Sequence, residues 1–117
     1  VVRRELVRSN RDLVKRMLMA YVESIHVPKT DADKSLPIMK KYMRITDDGI
    51  AKRSYDYYSK LFSMPPFTED KGVGAVLKFL STQTGSGNAK NAKVEDFFDN
   101  GLLQELQREG FFARFNK

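Results

Sequence analysis

The longest wide apolar face in this chain lies between Asn10 and His26, in NRDLVKRMLMAYVESIH. Val14, Met17, Leu18, Tyr21, Val22 and Ile25 recur there at the three- and four-residue spacing of one helical side, while Arg11, Lys15, Arg16 and Glu23 fall mainly elsewhere. Such a helix needs covering, so the later helices are expected to pack on it. Ser9 and Asn10 offer side-chain oxygens to the unpaired N–H groups of its first turn, and Asp12 places a negative charge near the positive dipole end. Pro28 is expected to end it.

The remaining segments read as shorter helices and their connectors. Val1–Val7 opens with β-branched residues and reads as the end of a strand or an extended lead-in. After Pro28, a second helix carries Leu36, Met39, Tyr42 and Met43 on its apolar side, with Thr30 or Asp31 as its cap. Pro37 within it predicts either a late start near Asp33 to Ser35 or a kink, because an interior proline costs about 3 kcal/mol. Thr46, Asp47 and Asp48 start a third helix, in which Ala51, Tyr55, Tyr58 and Phe62 share one face with Ile50, Ser54, Tyr57 and Leu61 beside them. SMPPF is a stop and a turn.

Thr68, ahead of Glu69 and Asp70, is expected to cap a fourth helix presenting Val73, Val76, Leu77 and Leu80, with Phe79 near the edge. Residues 82–93, TQTGSGNAKNAK, are polar and Gly-rich and read as a mobile surface loop. Residues 94–117 read as a tail in which Asp99 or Asn100 caps a short helix through Leu102, Leu103 and Leu106. Gly110 ends it in a left-handed C-cap, and Phe111, Phe112 and Phe115 anchor the terminus. The sum is a mainly α chain of about five helices.

Composition sets the outer limits. The 117 residues, 41% of them hydrophobic, suit a single domain with one modest core. With no cysteine, the chain offers neither disulfides nor thiolate metal ligands. No apolar run approaches the ~20 residues that span a bilayer, and no signal-peptide pattern is present. The opening VVRREL reads as the interior of a longer protein. A net charge of +6, from 21 Lys and Arg against 15 Asp and Glu, raises the question of nucleic acid. Arg3, Arg4, Arg8, Arg11, Lys15 and Arg16 form the densest basic group, yet Glu5 and Asp12 lie inside it. A solvated surface is the better reading.

Signs of catalysis are sparse. His26 is the only histidine, beside the expected helix end, where it would meet the last carbonyls. Asp47 with Asp48, Glu69 with Asp70 and Glu95 with Asp96 all stand at expected helix starts, where acids favour the dipole without catalysing anything. The ligand spacing of a calcium loop is absent. GVGAV, which begins at Gly72, lacks a phosphate-binding fingerprint and a preceding strand. Arg53, Tyr55, Tyr57 and Tyr58 are the one cluster with binding chemistry, a cation among aromatics, and read as core and rim. The expectation is a non-enzyme with no catalytic residues, no metal ligands and no cofactor.

Four segments in order carry a resemblance. They are NRDLVKRMLMAYVESIH, with Asn10, Arg11, Val14, Ala20, Tyr21, Glu23 and Ile25; DDGIAKRSYDYYSKLF with its paired tyrosines; the MPPF turn; and EDFFDNGLLQELQREGFF. Together they resemble the C-terminal part of the solute-binding proteins of ABC importers, in the group named for thiamine-precursor, sulfonate and nitrate binding. The resemblance covers nearly the whole chain and rests on order and spacing rather than on one motif.

It implies a two-lobed α/β parent of the type II periplasmic-binding-protein fold, closing on a small solute between its lobes and delivering it to a membrane permease. The parent would be exported, and so periplasmic or membrane-tethered. This chain would be the last helical portion, packed on the first lobe and structural in role. Ligand contacts would come from strand ends and loops that precede it, so no ligand residue transfers to a position here. Pro37 and the loop around Gly85 to Asn88 depart from the group's pattern. The resemblance and the apolar faces together predict that the isolated piece self-associates. The reading from a different class is a small basic helical module for nucleic acid or a protein partner, whose duplex binding would weaken steeply with salt.

Overall fold

The computed structural model describes residues 1–83 and 87–115. Among them are six α-helices and no strand: α1 (Arg4–Ser9), α2 (Arg11–Thr30), α3 (Ala32–Met43), α4 (Asp48–Leu61), α5 (Asp70–Ser81) and α6 (Gly101–Arg108). Short 3-10 turns occupy Gly87–Asn91, Val94–Asp96 and Phe111–Phe115. The chain divides into two compact units, Val1–Pro66 with Ala113–Lys117, and Phe67–Phe112.

In the first unit the beginning differs from the sequence expectation. Residues 4–9 are helical instead of forming a strand end or extended lead-in. RELVRS consists mostly of good helix formers, with Glu5 in the first turn and Arg8 in the last, so both charges suit the dipole. Asn10 separates this helix from the next: its N–H donates to the Leu6 carbonyl at 2.9 Å, and its Oδ1 accepts from Leu13 N at 3.4 Å. One residue closes α1 and caps α2.

Helix α2 runs through Pro28 to Thr30, so the proline does not end it. Proline removes a single donor, the one Ser24 would have received. The turn beyond is held by Thr30 Oγ1 donating to the His26 carbonyl at 3.1 Å and by Asp31 N donating to the Val27 carbonyl at 2.9 Å. His26 therefore lies inside the helix rather than at its end. Its ring meets that of Phe115, with centroids 4.8 Å apart, and Glu23 three residues earlier pairs with Arg114. These contacts tie the terminal turn to α2.

Asp31 caps α3 by accepting from Lys34 N at 3.0 Å. The helix starts at Ala32, earlier than the late start expected, and contains Pro37 in its second turn. It ends at Arg44 in the left-handed region, φ 54°, with the N–H groups of Arg44 and Ile45 both directed to the Lys40 carbonyl. A side chain there costs about 1 kcal/mol that glycine does not. Arg44→Gly is expected to stabilise the protein by about 1 kcal/mol, seen as a rise in urea midpoint. An unchanged or lowered midpoint would show that Arg44 makes contacts worth more than its backbone strain.

Asp47 caps α4, its carboxylate accepting from Ile50 N at 2.7 Å as the sequence suggested. Helices α2, α3 and α4 touch one another pairwise. Val14, Val22, Ile25, Ser35 and Ala51 are the buried positions of this unit. Met17 and Tyr21, expected on the core side of α2, are instead exposed, as are Tyr42 and Met43 of α3. The buried stripe is narrower than the apolar stripe.

In the second unit Thr68 does not cap α5, which begins at Asp70 with Glu69 in the cap position. Thr68 is held elsewhere: its N–H donates to Asn100 Oδ1 at 3.1 Å, and Asn100 Nδ2 donates to its carbonyl at 2.8 Å. That leaves Asp99 to serve the start of α6, accepting from Gly101 N at 2.7 Å. The two residues proposed for one cap thus divide two tasks. Gly110 has φ +76° and ends α6 in the left-handed turn expected of it. Leu77, Leu102, Leu103, Leu106, Phe111 and Phe112 are buried, and the rings of Phe111 and Phe112 meet edge to face, 5.6 Å apart. Of the loop expected over 82–93, Thr84, Gly85 and Ser86 lie outside the described residues and 87–91 form a 3-10 turn. Of the tail, Asn116 and Lys117 lie outside them too.

Candidate functional site

Three helices of the first unit line an open apolar groove of about 600 Å³, with Val27, Ile38, Met43, Tyr58 and Phe62 of its wall exposed. Each wall follows from helical spacing. On α3, Ser35, Ile38, Met39 and Met43 stand three, four and eight residues from the first and so share a face; on α4 and its end, Tyr55, Tyr58, Ser59 and Phe62 do the same. Ser24, Val27 and Pro28 of α2 complete the lining.

Lys29, in the final turn of α2, fixes the end of α4. Its ammonium donates to the Ser59 carbonyl at 3.1 Å and the Phe62 carbonyl at 2.7 Å, two acceptors that have no intrahelical donor at a helix C-terminus. The cation also faces the negative end of the α4 dipole. Both carbonyls belong to cleft residues, so the positive charge is engaged with backbone.

Ser35 is the unusual member of the lining. It is the buried position of α3, 8% exposed, and its Oγ has no hydrogen-bond partner. Serine and threonine in helices often return the hydroxyl to a carbonyl of the preceding turn. Ser24, Thr30 and Ser81 do so here, bonding the Tyr21, His26 and Lys78 carbonyls. Ser35 does not. A hydroxyl buried without a partner costs about 1–3 kcal/mol, and the Ser35 oxygen is closed off behind the groove's wall.

The cluster singled out from sequence is divided by the fold. Tyr55 and Tyr58 reach the cleft, whereas Tyr57 is 62% exposed and meets Tyr58 edge to face, 5.3 Å between centroids. Arg53 is exposed and is not among the cleft residues. Neither core nor a cation cage describes the four together. Sequence reading missed Ser35, because its spacing from Ile38 and Met39 does not by itself say that a serine is the buried position.

The charged groups are arranged for structure. Asp48 pairs with Lys40, and the hydrogen bond from that ammonium holds its carboxyl below the usual carboxylate value of 3.8. Asp31 is also lowered, first by the side-chain bond from Lys34 at 2.6 Å and then by the Lys34 backbone N–H. A depressed folded-state value means that the contribution to stability is present above the unfolded value and is lost as pH falls through the folded one. The advantage of the native chain over Asp31→Asn, which keeps the cap, should therefore hold at neutral pH and fade in acid below the usual carboxylate range. Urea midpoints of the two proteins across pH check this; a gap that persists at about pH 2 would exclude the carboxylate as its origin.

Within the dense basic group, Arg16 pairs with Asp12 at 3.0 Å. Among the described residues, no three His, Asp or Glu side chains gather as a metal site, and no helix is long and apolar enough to cross a membrane. Compared with protein-family models, with curated proteins and with solved structures, the chain matches none.

Proposed function

We propose that this chain is the C-terminal helical segment of the solute-binding component of an ABC importer, with a structural role in a protein that captures a small solute for a membrane permease outside the cytoplasm. The reading starts from the four resembling segments. The observation that best supports it is the apolar surface these helices carry: Met17 and Tyr21 on α2, Ile50 and Tyr57 on α4, Val76 and Phe79 on α5 are all exposed. Burial of a large apolar side chain is worth about 1.5–3 kcal/mol, so helices of this kind gain from a body to pack against. The proposed body is the two-lobed α/β remainder, and the solute would be held by it.

Two measurements test the proposal. The gene upstream of Val1 is expected to encode α/β sequence and an export leader; a reading frame complete within this stretch would overturn it. Expressed in full, the protein is expected to gain thermal stability with a small sulfonate, nitrate or a pyrimidine, and indifference to all three would remove the solute class. The 117-residue chain alone is expected to self-associate through the same exposed residues. Light scattering that finds a monomer at high concentration would count against the covering role.

A further inference from the structure

We draw no further inference here: the strongest candidate, the open apolar groove between α2, α3 and α4, carries none, because nothing in the structure shows what covers it.

Discussion

Leu106→Ala is expected to lower the unfolding free energy of its unit by about 3 kcal/mol, within the range for leucine truncation at a site that cannot collapse. The side chain is 1% exposed and stands one helical turn from Leu102 and Leu103, which are also buried. Alanine removes the transfer energy of the lost methyl groups and leaves a void among residues held at both ends, by the Asp99 cap before α6 and the Gly110 turn after it. Chemical denaturation followed by circular dichroism reads the change. Leu106→Met, which keeps most of the volume, should cost less than about 1.5 kcal/mol. Equal effects of the two substitutions would mean that packing around Leu106 is not what holds the unit.

Val22→Asp should be costlier still, about 4 kcal/mol at neutral pH, since the side chain is 0% exposed and no basic residue is among the buried positions described for this unit. The penalty should shrink in acid, where the carboxyl is neutral. Tyr21→Asp, one residue earlier, is the informative comparison. Tyr21 is exposed in the single chain, so at protein concentrations too low for self-association its substitution should lie within about 0.5 kcal/mol of neutral. Similar losses at both positions would show that Tyr21 is covered in solution, as self-association through this surface would require.

These two neighbours show how far periodicity reaches. Spacing places Val14, Leu18, Val22 and Ile25 with Met17 and Tyr21 on one wide side of α2, and it cannot say which part of that side meets α3 and α4. Caps were legible because their chemistry is local: Asp31, Asp47 and Gly110 each act within a few residues of themselves. Thr68 was misread because its partner, Asn100, is 32 residues away. Pro28 was misread for a similar reason. The lost donor falls in the last turn of α2, and the turn that follows is held by contacts the spacing does not show, including Lys29 on the end of α4.

The cleft was the least legible feature. Nothing local marks Ser35 as the buried residue of α3 in preference to Leu36 or Met39, and a serine in mid-helix is ordinarily solvated or bonded to its own backbone. Its burial follows from the pairing of three helices.

Local chemistry alone established that the chain is helical, where α2 and α4 begin, and where α6 must turn, because hydrogen bonds within a few residues and the φ freedom of glycine are properties of short peptides. Folding in three dimensions chose the buried strip of each helix, left Met17, Tyr21 and Tyr57 in solvent, and closed an unpartnered hydroxyl off behind the wall of an apolar groove. Burial depends on which distant side chains arrive, and no run of consecutive residues carries that information.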